Sequence, residues 1–138
     1  MSRISAEDGK VIHVSVHPDI EFSDVASKYA DALQIWKNGG DLPPVFGNEG
    51  QWEENWRLRD SFVFKIHIRL PEEPEWPSRV PGSARKSNSY LVYSRHYLYP
   101  NRLQVISIMS PKAHEMARTS YMAEIERRAE EFQSASFD

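Results

Sequence analysis

The sequence predicts an α+β domain: a small, mainly antiparallel β-sheet with helices packed on one face, in the order β-α-β-β-β-α. Three patterns carry that prediction. Apolar residues recur at helical spacing over 22–36, apolar and polar residues alternate strictly over 62–70, and 89–110 reads as two strands around a Pro100-Asn101 turn. The 138 residues are one domain's worth, and 40% hydrophobic with 12% aromatic residues can fill one core. We read 1–138 as a single domain, with 1–10 and 134–138 as flexible ends.

Val11–Val16 reads as a short strand with Ile12, Val14 and Val16 on one face. Ser23 is a suitable N-cap for the helix that follows. Phe22, Val25, Ala26, Tyr29, Leu33 and Trp36 form its apolar stripe, and Gly39-Gly40 ends it. The stretch 41–60 is less regular, because Pro43 and Pro44 exclude a helix there. Trp52 and Trp56 stand four apart, so a helical turn would put both rings on one side as packing groups.

Phe62–Leu70 is the clearest strand. Phe62, Phe64, Ile66, Ile68 and Leu70 make an apolar face; Val63, Lys65, His67 and Arg69 make the other, which is expected to be exposed. Its three basic groups are spaced at about 6.5–7 Å, close to the phosphate spacing of a single nucleic-acid strand. The plain alternative is a solvated cationic strand. Residues 71–88 form a long connection with prolines at 71, 74, 77 and 81, ending in the small, basic run Ser83–Asn88. The first hairpin strand carries Tyr90, Tyr93, Tyr97 and Tyr99 with Arg95 and His96. That mixture suits stacking of bases and holding of phosphates, and also ordinary strand propensity. Ser110-Pro111 reads as the start of a short helical turn through Arg118. A last helix follows over 120–133, with Tyr121, Met122, Ile125, Ala129 and Phe132 inward and Glu124, Glu126, Arg128, Glu130 and Glu131 outward.

The net charge is −3, which on its face argues against a polyanion-binding protein. The distribution argues otherwise. Residues 1–60 hold six Lys/Arg against eleven Asp/Glu, whereas 79–118 hold seven basic residues against Glu115 alone. A local field attracts a polyanion more than the total charge does. There is no cysteine, so disulfides, thiolate metal sites and cysteine nucleophiles are excluded. His13 and His17 share a strand face without metal-ligand spacing, and no glycine-rich phosphate loop or Gly-x-Ser-x-Gly motif is present. No cofactor or metal is expected. No apolar run is long enough to span a membrane and the start lacks a signal-peptide core, so a cytoplasmic protein is expected.

Leu42-Pro-x-x-Phe46-Gly47, Ile66-His67-Ile68, Leu91-Val92-Tyr93 and Pro111-x-x-His114-x-x-Ala117-Arg118 occur in that order, closed by Met122–Phe132. As an ordered set over residues 26–133 they resemble the YafO family of bacterial toxins. The resemblance implies a toxin of a type II toxin–antitoxin module, a RelE-like fold, cleavage of mRNA on the ribosome, and a small antitoxin partner.

Metal-free RNA cleavage by the 2′-hydroxyl needs a proton acceptor, a proton donor and cations for the phosphorane. Histidine suits the proton transfers and arginine the phosphate. His114, in the matched Pro-x-x-His motif, is the first candidate for proton transfer; its other reading is a helix-surface histidine. Arg118, four residues on, would contact the scissile phosphate. His67 is a second proton carrier or an RNA contact, or else a histidine half buried under the last helix. Lys65, Arg69, Arg85, Lys86, Arg95 and Lys112 are candidate contacts to mRNA or ribosomal RNA. Tyr93 would stack on a base, carry a proton, or pack in the core. The competing functional readings are a toxin that inhibits a target such as DNA gyrase by binding, and an inactive RNA-binding module.

Overall fold

The protein is described by a computed structural model covering residues 11–110, 116 and 119–137. Five strands, β1 (His13–Val16), β2 (Phe46–Gln51), β3 (Val63–Ile68), β4 (Tyr90–Arg95) and β5 (Arg102–Met109), form one sheet in the order β1-β5-β4-β3-β2. Only β1 and β5 run parallel; the other three pairings are antiparallel. The helices are α1 (Ser23–Lys37), α2 (Trp56–Asp60) and α3 (Tyr121–Gln133). The α+β class and the mainly antiparallel sheet are as the sequence predicts.

The helices were expected on one face; they divide between two. Alternation along the strands sends Ile66, Ile68, Leu91, Tyr93, Leu103, Val105 and Ile108 to α1, where they meet Ala26, Tyr29, Ala30 and Leu33. The intervening residues Val63, Tyr90, Val92, Ile106 and Met109 meet Leu58 of α2 and Met122, Ile125 and Ala129 of α3. The second face is therefore a core, not an open cationic surface. Val63 is fully buried and His67 is only 8% exposed. Strands β4 and β5 carry apolar residues on both faces for this reason.

Local details follow from identifiable groups. Helix α1 begins after Phe22, which takes a left-handed conformation (φ 53°), and Ser23 is its first residue and not its cap. Phe22 is exposed and does not join the stripe. The helix closes at Asn38, with Gly39 at φ 105° and its N–H donating to Trp36 O at 3.0 Å, a backbone form suited to glycine. Asn38 Oδ1 and Gln34 Oε1 accept the outward N–H groups of Ile12 and Val14, at 2.8 and 2.9 Å, which closes part of the β1 edge.

Strand β2 is the element the sequence conceals. Its residues Phe-Gly-Asn-Glu-Gly-Gln have neither alternation nor β-branched side chains, and its pairing with β3 is interrupted between Phe46 and Glu49. Pairing to a strong neighbour makes it a strand. The two tryptophans expected side by side are separated: Trp52 is buried beyond the end of β2, while Trp56 opens α2 and is 63% exposed. Asn55 caps α2, accepting from Arg57 and Leu58 N–H at 3.0 and 3.2 Å.

The inner stripe of α3 is as read, but Arg128 was expected outside and is buried, held by Glu21 and Glu124. The tail from 134 was expected to fray. Instead Ala135 O bonds the buried His96 Nε2 at 2.9 Å, and the Phe137 ring packs edge-on against His96 and Tyr99. Tyr99 O accepts Arg102 N–H at 2.8 Å, so the Pro100-Asn101 turn forms as predicted.

Candidate functional site

Three strands bring polar groups to one end of the sheet. His67 near the end of β3 pairs with Tyr90 at the start of β4, and Tyr90 pairs with Met109 at the end of β5. His67 and Met109 are thus two strand spacings apart, about 10 Å. The chain leaves β5 there into 111–118, the stretch that carries Lys112, His114 and Arg118 in the sequence. Those three lie outside the described residues. Met116, within the same stretch, packs against the α3-side core.

His67 is held from several sides. Its ring stands edge-on to Tyr90 with centroids 5.1 Å apart. The Ser87 backbone N–H donates to Nδ1 at 2.8 Å, with the Ser87 carbonyl farther away at 3.1 Å. The shorter contact makes Nδ1 an acceptor, so the proton of the neutral ring is assigned to Nε2. Ser87 is itself fixed by its hydroxyl, which donates to Ser89 O at 2.8 Å. Lys65 lies two residues before His67 on the same strand face. Its ammonium sits 4.7 Å from the Trp52 ring centroid and 5.1 Å from that of Tyr90, a cation between two aromatic faces. Burial raises the Tyr90 hydroxyl pKa, and the Glu54 carboxylate raises it further.

Arg69, just past β3, serves its own loop. Its Nη1 donates to Glu73 O at 2.9 Å while the Glu73 carboxylate accepts Leu70 N–H at 2.7 Å. Its Nε is buried without a partner. Arg85 is also committed: Nε donates to Val80 O at 3.1 Å and Nη1 to Phe46 O at 3.3 Å. Here the long connection folds back onto β2. Asn48 N–H donates to Arg85 O at 3.0 Å, and a Cβ at Gly47 would come within 2.5 Å of that carbonyl oxygen, so glycine allows the approach. Lys86 is exposed, and its carbonyl accepts the Trp76 indole N–H at 3.2 Å.

Two predicted contacts do not join this end. Tyr93 points to the α1 face, 4% exposed, stacked on Phe64 and bonded through its hydroxyl to Glu49. Burial and the Glu49 carboxylate raise its pKa strongly, which removes it from proton transfer near neutrality. Arg95 is exposed at the other end of β4, near the rings of Phe62 and Phe64. The site therefore gathers Lys65 and His67, with Arg69 and Lys86 at its border. The residues missed from the sequence are the supports. Ser87 lay in the small, basic run Ser83–Asn88, and Trp52 lay among residues read only as packing. Among the described residues no group of three or more His, Cys, Asp or Glu side chains could hold a metal ion. No helix there is long and apolar enough to cross a membrane.

These features define a small α+β protein with an imidazole and a ring-clamped ammonium at one sheet end, beside the strand exit that leads to further basic residues. The chain belongs to the family described as toxin YafO, type II toxin-antitoxin system, whose model matches residues 34–134. The match begins eight residues later than the resemblance read from the motifs and covers most of the chain. Membership implies a cognate antitoxin as partner. No curated protein and no solved structure matches the chain.

Proposed function

We propose that this toxin is a metal-independent endoribonuclease that cleaves mRNA on the ribosome in the cytoplasm. The observation that carries the reading is the convergence at one sheet end. Lys65 and His67 lie on successive positions of β3 on its α3 side, and the chain leaving β5 for His114 and Arg118 starts two strands away. In the proposed reaction the 2′-oxygen bonds to phosphorus, the bond from phosphorus to the 5′-oxygen breaks, and a 2′,3′-cyclic phosphate and a 5′-hydroxyl result. His114 carries the proton transfer and Arg118 holds the phosphate oxygens.

His67, held by Ser87 and packed edge-on against Tyr90, is assigned as a second proton carrier or an RNA contact at this end of the sheet. Lys65, with Lys86, Arg69 and Lys112, supplies positive charge along the RNA. Lys65 is suited to this because two rings hold its ammonium in place without neutralising it. Arg85 and Arg95 are assigned lesser parts, one being spent on its loop and the other lying at the far end of β4.

The test is primer extension on a defined mRNA with purified toxin, with and without ribosomes, beside His114→Ala. Cuts that require ribosomes and vanish in the variant are the expected result. Cuts without ribosomes would replace the ribosome-dependent reading with a free ribonuclease. Intact mRNA from a protein that still arrests growth would replace it with an inhibitor that acts by binding, on a target such as DNA gyrase.

A further inference from the structure

Two lysines of the chain stand against a tryptophan and a tyrosine, one on each face of the sheet. On the α1 face, the Lys37 ammonium lies 4.1 Å from the Trp36 ring centroid and 5.8 Å from that of Tyr93. Glu49 of β2 completes that group by accepting from Lys37 at 2.9 Å. On the α3 face, Lys65 lies against Trp52 and Tyr90 in the same way. Its cross-strand neighbour on β2 is Gly50, the residue after Glu49. Successive residues of a strand point to opposite faces. One edge strand thus gives a carboxylate to the first lysine and no side chain to the second.

Among the described residues no carboxylate pairs with Lys65. Glu54, which raises the Tyr90 pKa, is exposed and makes no ion pair with it. A half-buried ammonium already held by two rings has less freedom left to lose when an anion binds. Gly50 also differs from other glycines of the fold. Gly47 is required by the Arg85 carbonyl, 2.5 Å from where a Cβ would stand, and Gly39 by its φ of 105°. Gly50 has no positive φ, and among the described residues no heavy atom lies within 4 Å of where its Cβ would stand. Glycine weakens a strand, and inside one it often marks a close approach to the backbone. The open side of Gly50 is the side on which Lys65 stands.

We propose that Gly50 and Lys65 form an anion seat for a phosphodiester of single-stranded RNA. The RNA backbone passes over Gly50, and a non-bridging phosphate oxygen meets the Lys65 ammonium. Trp52 and Tyr90, both buried, are positioning residues that hold the ammonium. A phosphodiester fits because His67, the next residue on this side of β3, stands about 6.5–7 Å along the strand, close to the step between successive phosphates. The choice of RNA rests on the nuclease reading above; the place of the anion does not.

The test is binding of a fluorescein-labelled single-stranded RNA oligonucleotide to the full chain, followed by anisotropy over a series of KCl concentrations. Cleavage of ribosome-bound mRNA is measured beside it. Gly50→Val fills the space, Gly50→Glu supplies the carboxylate that Lys37 already has, and Lys65→Ala removes the cation. Gln51→Glu is the control, since it adds the same charge one residue along, opposite Phe64 on the α1 side. The expected result is a Kd raised about 10-fold in the first three variants, the loss of one charge-assisted contact. The slope of log Kd against log salt should fall by about 0.7 in Lys65→Ala. Gly50→Val should keep or raise Tm, because valine suits a strand and its side chain enters open space. In the Lys65→Ala background it should add little to the loss of binding. Gln51→Glu should leave Kd within about 2-fold.

A native Kd in Gly50→Val and Gly50→Glu overturns the proposal. So does an equal loss in Gln51→Glu, which would make the effect one of overall charge, and so does a wild-type protein that does not bind the RNA. If the variants behave as expected but the wild type leaves ribosome-bound mRNA intact, the nuclease reading falls and the seat stands. If the wild type cleaves and the Gly50 variants bind natively, the seat falls and the nuclease reading stands.

Discussion

The two faces of the sheet are built from different materials. On the α1 face, Leu33, Phe46, Ile66, Ile68, Leu91 and Ile108 make an apolar core, with Tyr29 and Trp36 each against Phe46 at about 6 Å. Its main polar group, the Tyr93–Glu49–Lys37 chain, lies at the rim. The α3 face buries Ser94, Ser107, His67 and Arg128 among its aliphatic residues. An apolar face supplies stability and little directional information. A face with buried polar groups gives up some of that stability, and each bond it makes specifies where a side chain or a helix must sit. Lys65 and His67, the described members of the proposed site, lie on the second face.

If that division is real, it breaks most visibly in activity. His114→Ala is expected to lower ribosome-dependent cleavage by about 100-fold or more, the usual contribution of a positioned proton carrier. Primer extension measures it, and a variant cutting at the native rate would remove His114 from the site. His67→Ala should reduce cleavage less. His67→Gln, which keeps a polar side chain, should recover part of the loss; equal activities of the two variants would leave the hydrogen bonding of this side chain without a role.

Stability should divide the faces next. Arg128→Ala leaves Glu21 and the Ile106 carbonyl without their buried partner and is expected to cost about 3–5 kcal/mol. Arg128→Met, which removes the charge but fills the space, should cost less. Leu33→Ala on the other face should cost about 2–5 kcal/mol through the cavity alone. Urea unfolding of the three reads this directly. If Arg128→Met were as damaging as Arg128→Ala, packing and not polar specification would explain the α3 face.

The contrast between the faces also marks what the sequence could disclose. Periodicity announced β3, α1 and α3, since apolar stripes are what periodicity measures. The basic run at 65, 67 and 69 was visible too, but its surroundings were not. Val63 between basic residues looked like half of a solvent face, because nothing local says that a helix about 60 residues later covers it. Arg128 looked exposed for the same reason: its partner Glu21 is 107 residues away. Strand β2, with two glycines and no alternation, is specified by its neighbour and not by itself. Trp52 read as packing and Tyr90 as a base-stacking ring or an ordinary strand residue, and only the three-dimensional arrangement sets Lys65 beside both.

Acid should separate the faces as well. Hydrogen bonds from Arg127 and Arg128 hold the Glu124 pKa at about 2, below its ordinary 4.5. Glu21 is also lowered: burial opposes the shift, and bonds from Arg128 and Tyr121 outweigh it. Both groups bind protons more readily unfolded than folded. Their contribution to stability is therefore fully present above about pH 4.5 and is lost as pH falls through the folded values. Acid titration followed by near-UV circular dichroism should show a loss of stability below pH 4.5 that is smaller in Glu21→Gln. An unchanged acid transition in that variant would detach the network from the pH response.

The smallest effect is expected from Tyr93→Phe, and it tests the comparison most sharply. The hydroxyl removed is buried and bonds to Glu49, but Lys37 still donates to that carboxylate at 2.9 Å. The ring keeps its stack on Phe64. A loss of about 1 kcal/mol, the usual net value of one hydrogen bond, is expected in urea unfolding. Cleavage should not change, because Tyr93 faces α1 while Lys65 and His67 face away from it. A drop in kcat without a matching loss of stability would place a reactive hydroxyl on the wrong side of the sheet. The division of labour between the faces would then have to be abandoned, whatever His114 and His67 proved to do.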